Sequence, residues 1–263
     1  MRVAMLGDII GRPGRRHTLR WIADLRSREE LDFVVVNGEN AAGGIGLTPD
    51  VSLEIFDAGV DVITTGNHVW RNREMAGFLQ TEKRVLRPAN YPQGVPGNGW
   101  TIVTRGALRL AVLNLQGRVF MQPIDCPFIC ADRAIEQIGS NADAIVVDFH
   151  AEATSEKQAL GLYLDGRVSA VVGTHTHVQT SDERVLANGT GFITDLGMCG
   201  PVNSVIGMDP DTVIPKFITA MPSKFEVGKG PVIVCGVIVE IDTSTGKTKY
   251  VQRFLEELDD TIR

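Results

Sequence analysis

The chain has 263 residues, enough to bury a full hydrophobic core in one large α/β domain spanning 1–263. Hydrophobic residues make up 43% and charged residues 22%, as in ordinary soluble globular proteins, and a net charge of −6 excludes a global basic field that would hold long nucleic acid as the main partner. No run reaches the ~18 apolar residues of a membrane span, and the opening MRVAMLGDIIG is too short and carries an acid too early for a signal peptide, so a soluble chain in the cytoplasm is expected.

In chain order, the apolar run 3–6 is expected as a strand ending at Gly7-Asp8, followed by a helix whose apolar face is Leu19, Ile22, Ala23 and Leu25. Arg12, Arg15, Arg16 and Arg20 on that helix read as a solvated face or a local basic patch. A second strand, 33–36, ends in Asn37-Gly38-Glu39-Asn40. Thr48 as N-cap and Pro49 at the first helical position start a helix that stops at Gly59. A third strand, 60–64, ends in Gly66-Asn67-His68. This strand–helix–strand rhythm predicts a parallel sheet with right-handed crossovers.

Segment 88–99, rich in Pro, Gly and Asn, reads as a loop, and 101–104 with 108–115 as a hairpin turning at Gly106. A helix over 131–138, a strand over 144–149 ending at His150 and a helix over 155–164 follow. The strand 168–172 ends in Gly173-Thr174-His175-Thr176-His177. Near the end, 191–196 is a strand and 232–241 with 247–254 a hairpin. Cys126, Cys130, Cys199 and Cys235 complete no zinc-ribbon pattern and read as buried or half-buried thiols.

Ligands in open α/β sheets bind outside the carboxyl ends of the strands. Here five expected strand ends carry groups able to ligate metal: Asp8; Glu39 with Asn40; Asn67 with His68; His150; and His175 with His177. Taken singly, each has an ordinary explanation as a helix cap, a turn residue or a structural histidine. His175 and His177 are two apart, so extended backbone would aim both rings to one side. A mixed carboxylate and imidazole set suits Fe²⁺, Mn²⁺ or Zn²⁺ better than Mg²⁺ or Ca²⁺. Seven ligands exceed the need of one tetrahedral ion, and a carboxylate-bridged pair of divalent ions accounts for the surplus.

Gly66-Asn67-His68 and Gly173-Thr174-His175-Thr176-His177 resemble the GNH and GHxH signatures of the calcineurin-like metallophosphoesterases. The chain departs from that pattern twice: Asp8-Ile9-Ile10 lacks the histidine of D-x-H, and Gly38-Glu39-Asn40 replaces the usual second motif. GDIIGRPGRR, NGENAAGG, TTGNHVW, DFHAEATSEK and VVGTHTHVQT resemble a smaller branch, the YmdB-like phosphoesterases, which shares both departures. The resemblance implies a four-layer α/β/β/α sandwich with mixed sheets, and hydrolysis of small phosphodiesters with 2′,3′-cyclic nucleotides as substrate class. It implies that Asp8, Glu39, Asn40 and His177 hold one ion, and that Glu39, Asn67, His150 and His175 hold the other. A water between the two ions would attack phosphorus in line.

His68 is then expected as general acid or as a donor to a phosphoryl oxygen, the alternative being a residue that orients ligands. Gly43-Gly44-Ile45-Gly46 reads either as a phosphate cradle or as a flexible loop, and Trp70 either stacks on a base or packs. A phosphomonoesterase on the same metals and a non-catalytic metal-dependent regulator remain as alternatives. The C-terminal hairpin reads as an interface of a homo-oligomer or as a sheet edge.

Overall fold

In a computed structural model, which describes residues 1–258, β1 (Arg2–Ile9), α1 (Gly11–Arg28), β2 (Phe33–Asn37), α2 (Pro49–Asp57) and β3 (Val62–Thr64) come first. They are followed by α3 (Met75–Thr81), the hairpin β4 (Trp100–Arg105) and β5 (Leu108–Gln116), α4 (Pro127–Ile138), β6 (Ala144–His150), α5 (Thr154–Tyr163) and β7 (Ala170–Thr174). Then come β8 (Arg184–Val185), β9 (Gly191–Ile193), β10 (Met198–Pro201), α6 (Pro210–Thr219), β11 (Val232–Asp242) and β12 (Lys247–Leu258).

The strands form two six-stranded sheets, ordered β12-β11-β10-β1-β2-β3 and β4-β5-β6-β7-β9-β8. Both are mixed: β1, β2, β3 and β10 run parallel while β11 and β12 are antiparallel, and β5, β6, β7 and β9 run parallel between antiparallel β4 and β8. Strand alternation sorts the apolar side chains into separate cores. Val3, Met5, Val35, Val112, Val146 and Val172 meet between the sheets. Ala4, Leu6, Val34 and Val36 face outward against Ile22, Leu25 and Ile55 of the helices on one side. Leu113, Val147 and Phe149 pack against Ala131, Ala134 and Leu160 on the other. The result is a four-layer α/β/β/α sandwich.

Local signals position these layers. Thr48 Oγ1 accepts the Val51 N–H at 3.3 Å to open α2, and Gly59 at φ +94° follows its end. Two expectations need correction. Ala23 on α1 is exposed; Trp21, 6% exposed, joins Leu19, Ile22 and Leu25 because its indole reaches back to Phe254, with ring centroids 4.9 Å apart. Helices α3 and α6 and strands β8 and β10 were not expected, since they are short or lie in stretches that read as loop. The C-terminal hairpin is a sheet edge, with β12 outermost. Arg15 pairs with Glu54 at 2.8 Å and donates to the Ala41 carbonyl at 2.7 Å, while Arg12, Arg16 and Arg20 are exposed on a solvated face. All four cysteines are free. Among the described residues no helix is long and apolar enough to cross a membrane.

One buried ion pair ties the outer helix layer to the loop after β7. Lys157 of α5 donates to Asp195 Oδ2 at 2.5 Å, with the two side chains 2% and 1% exposed. The same oxygen accepts the Thr176 N–H at 3.2 Å and its hydroxyl at 2.8 Å, and Asp195 Oδ1 accepts the Gly197 N–H at 2.8 Å. Removing one partner leaves a buried charge uncompensated. Lys157→Met is therefore expected to cost about 3–5 kcal/mol in urea denaturation, with the Lys157→Met/Asp195→Asn pair losing clearly less than the sum of the singles. A single-variant loss below ~1 kcal/mol would sink this account.

Candidate metal centre

The carboxyl ends of β1, β2, β3, β6 and β7 meet at one edge of the sandwich. Asp8 reaches it through a β-bulge. Leu6 pairs with Val36, but the next pairing is Asp8 with Asn37, so Gly7 is the extra residue. Without it the alternation would turn Asp8 toward the outer helices; with it Asp8 joins Asn37 on the inter-sheet side. Only glycine fits there, because a Cβ on Gly7 would lie 1.9 Å from the Gly197 carbonyl oxygen. Gly66 plays a matching part before Asn67: a Cβ there would lie 2.3 Å from His150 Nε2 and 2.4 Å from Glu39 Oε2.

All eight residues singled out from the sequence converge. Their contacts fall into two sets that share Glu39. In the first, His177 Nε2 lies 3.7 Å from Asp8 Oδ1 and 3.2 Å from Asn40 Nδ2, which in turn is 3.4 Å from Glu39 Oε1. In the second, His150 Nε2 lies 3.1 Å from Glu39 Oε1, 3.1 Å from Asn67 Oδ1 and 3.0 Å from His175 Nδ1. Ligand atoms of Glu39, His150 and His175 all fall within 4.8 Å of one another, a spacing that a single ion can bridge. Asp8 Oδ2 accepts the His175 N–H at 3.1 Å, whereas Asp8 Oδ1 is buried with no hydrogen-bond partner among the described residues. A buried carboxylate oxygen without a donor, beside imidazole nitrogens, is what a cation would satisfy.

The surroundings select the ring tautomers. Thr174 Oγ1 gives its proton to Asp148 Oδ1 at 2.7 Å, so toward His150 Nδ1, 2.9 Å away, it can only accept. That commits Nδ1–H outward and turns Nε2 inward. His177 Nδ1 donates to the Ile206 carbonyl at 2.9 Å, leaving its Nε2 lone pair inward. His175 Nε2 faces Glu152 Oε2 at 3.1 Å, leaving Nδ1 inward. Such outer partners orient metal-binding imidazoles. Asp148 also accepts from Asn37 Nδ2 at 3.1 Å and from the Thr64 hydroxyl. Sequence reading passed over Asp148, Glu152, Thr174 and Asp195. Two of them carried a signal: an acid inside the otherwise apolar runs AIVVDF and GFITDL.

His175 and His177 depart from the expected geometry. Their φ angles are +99° and +64°, so the H-x-H segment is not extended and strand alternation does not explain the ring directions. Non-glycine residues in this region are strained and persist where packing over-determines them; here the Asp195 clamp on Thr176 does so. One further alternative resolves toward packing: Trp70 meets Tyr91 edge-on, with centroids 5.8 Å apart, and rests on the outer core. Gly44 and Gly46 leave little room for a side chain, since a Cβ would lie 2.8 Å from Val227 and 2.9 Å from Arg71.

Burial and mutual charge shift the site's proton affinities strongly. Burial raises the Asp8 pKa to about 6, against the pull of His177 and His150. Burial also works to raise Glu39, but His150 and then His68 outweigh it and hold its carboxyl well below the usual range. For His150 burial is overcome by Glu39, then Asp8, and the pKa rises to about 9, whereas burial and the nearby His150 lower His175 to about 3. His68 lies beside this cluster. Its Nδ1 is 2.8 Å from Asn40 Oδ1 and 3.2 Å from Glu39 Oε1. With Asn67, His175, Phe120, Met121 and Gln122 it lines a cavity of about 500 Å³. A larger cavity of about 860 Å³, between α4 and segment 83–102, contains none of the eight residues.

In metal-free protein the extra proton on His150 stabilises the fold. Its contribution is complete below pH 6.5 and lost as pH rises through about 9. The stability of chelator-treated protein, followed by urea denaturation, is thus expected to fall over that window, and saturating Mn²⁺ is expected to restore it. A metal-free profile that is flat from pH 6.5 to 9 would contradict the shift.

The family model described as "YmdB-like protein" matches residues 4–254. The chain is 46% identical over 255 residues to the 2′,3′-cyclic-nucleotide 2′-phosphodiesterase of Bacillus subtilis (strain 168), covering 97% of each. Among solved structures, a hypothetical protein from Thermus thermophilus is 40% identical with a TM-score of 0.92, covering 98% of this chain and 99% of that one. A novel phosphatase from Mycoplasma pneumoniae is 34% identical with a TM-score of 0.92, covering 99% and 95%. A phosphoester-hydrolase site on this sandwich accords with the Bacillus and Mycoplasma relatives, and the chain belongs to the YmdB-like protein family.

Proposed function

We propose that the protein is a two-metal phosphodiesterase that opens 2′,3′-cyclic nucleotides, acting in the cytoplasm with iron or manganese as the working ions and zinc as a substitute. The observation that carries this reading is the Asp8–Glu39–His150–His175 cluster, whose carboxylates and inward-facing ring nitrogens lie beside the unpartnered Asp8 Oδ1. Asp8, Glu39, Asn40 and His177 would hold one ion, and Glu39, Asn67, His150 and His175 the other. Ile10, where a histidine would complete D-x-H, is buried against Gly200 and Gly207; the Asn40 amide lies beside His177 and supports the missing ligand's role once its oxygen is turned inward. When bound, the ions lower the pKa of water and neutralise charge on the phosphoryl oxygens.

The remaining work belongs to the chain. Glu39 Oε1, 3.2 Å from His68 Nδ1, holds that nitrogen and so fixes the ring, which leaves Nε2 to face the cavity. A proton held at Nε2 can pass to the leaving ester oxygen, which departs as a hydroxyl. The buried walls of the cluster exclude bulk water and keep the ligand rings from turning.

Three measurements test this. Metal-loaded protein is expected to hydrolyse 2′,3′-cyclic nucleotides in preference to nucleoside monophosphates; the reverse preference would favour a phosphomonoesterase, and no hydrolysis of either would favour a regulator. His68→Ala is expected to lower kcat about 10²–10⁴-fold with metal content retained; loss of metal would make His68 a ligand instead. Elemental analysis of Asn40→Ala is expected to show one of two metal equivalents missing, and full occupancy would remove Asn40 from the ligand set.

A further inference from the structure

The cavity beside His68 has one wall that the chemistry above does not use. Segment 117–125 follows β5 and crosses the mouth of the site. It is held at its base and along its first half. The Asn90 side chain, 1% exposed, donates to the carbonyls of Gln116 at 2.8 Å and Asp125 at 2.9 Å and accepts the Gln116 N–H at 2.9 Å, stapling the two ends together. The buried Glu156 carboxylate accepts the N–H groups of Arg118 at 3.0 Å and Val119 at 3.2 Å. A turn then closes from the Met121 N–H to the Arg118 carbonyl at 3.2 Å.

This anchored loop displays Phe120. The ring is 89% exposed, and the residue sits at φ +61°. A bulky aromatic in the left-handed region is a true outlier, and such strain persists only where the surroundings impose it. Here the imposed conformation places an apolar ring in water on the wall of the same cavity as Asn67, His68 and His175. At about 500 Å³ the cavity has room for a nucleotide-sized molecule. A phosphoryl group bound at the His68 and His175 end leaves the rest of a nucleotide facing the Phe120 end. The Met121 side chain lines that end as well, and Gln122 supplies an exposed amide.

We infer that Phe120 is the platform on which the nucleobase of the substrate stacks, making this loop the subsite that distinguishes nucleotides from base-free phosphodiesters. The inference rests on the reading of the neighbouring residues as a phosphodiesterase centre. Stacking is indifferent to base identity because every base has a π-face, so the preference is for nucleotides as a class, with the larger purines favoured.

The test is calorimetric binding of 3′-AMP and of base-free glycerol 2-phosphate to Mn²⁺-loaded wild-type, Phe120→Ala and Phe120→Trp protein. Wild type is expected to favour 3′-AMP. Phe120→Ala is expected to cut the ratio of the two affinities about 10-fold or more, and Phe120→Trp to retain it. An unchanged ratio in Phe120→Ala, or equal weakening toward both ligands, would overturn the inference. Hydrolysis of glycerol 1,2-cyclic phosphate by wild type separates the two claims. If it proceeds while the ratio is unmoved, only the stacking role fails. If wild type hydrolyses no cyclic phosphate, the phosphodiesterase reading falls and takes the nucleobase with it.

Discussion

Four carboxylates, Asp8, Glu39, Asp148 and Asp195, are buried within one edge of this sandwich, and the rest of the site is arranged around their charge. Each acid would be costly alone in such a place. Asp195 has the Lys157 ammonium, and Asp148 is surrounded by Asn37, Thr64 and Thr174, yet burial still raises its pKa. Asp8 and Glu39 accept backbone N–H groups from His175 and His68, but the groups beside them that can carry positive charge are imidazoles. A proton on His150 offsets part of their charge, which is why that histidine holds it so strongly. Divalent cations would supply the rest and displace the proton. The same imbalance that weakens the metal-free protein therefore becomes binding energy for metal.

The fold delivers these groups by bringing two parallel-strand edges together across a shared apolar core. Each sheet contributes what the other lacks. β1 and β2 bring both carboxylates, β6 and β7 bring the histidines, and the turn after β3 lays Asn67 between them. Convergence depends on alternation being kept in register over whole strands, so that Val35, Asn37, Val146 and Asp148 all face inward. It also depends on alternation being broken once, at Gly7. A single extra residue there converts an outward acid into a ligand candidate, at a spot where any side chain on residue 7 would collide with the Gly197 carbonyl.

Much of this was legible in the chain because burial and polarity conflict visibly at strand ends. Asp8, Glu39, Asn67, His150, His175 and His177 each follow a run whose hydrophobicity places it in a core, so a polar residue there needs a partner. The alternation of strand and helix patterns pointed to parallel sheet, and the four-layer order was implied by the family resemblance. What stayed hidden were relations between segments distant in sequence. Nothing local to Glu152 says that it faces His175, and nothing local to Ile206 says that its carbonyl holds His177. The left-handed backbone at His175 and His177 was equally invisible, since it is enforced by Asp195 some 20 residues away rather than by the H-x-H residues themselves. Helix α3 is only seven residues long, and α6 carries Pro215 in its interior and leaves Ile214, Phe217 and Ile218 exposed, so neither shows a clean apolar face.

The strained positions that line the site share a physical logic. His175, His177 and Phe120 all adopt positive φ, and all lie on loops pinned by a buried carboxylate: Asp195 for the first pair, Glu156 for the third. A carboxylate accepting backbone N–H groups can hold a loop in a conformation its own residues disfavour, because each charge-assisted bond is strong and the acid is already desolvated. One such clamp directs imidazoles inward to the candidate metal centre, and the other holds an aromatic ring on the wall of the cleft. The site is thus built less by the intrinsic preferences of its functional residues than by acids behind them, which hold those residues in place before any ligand arrives.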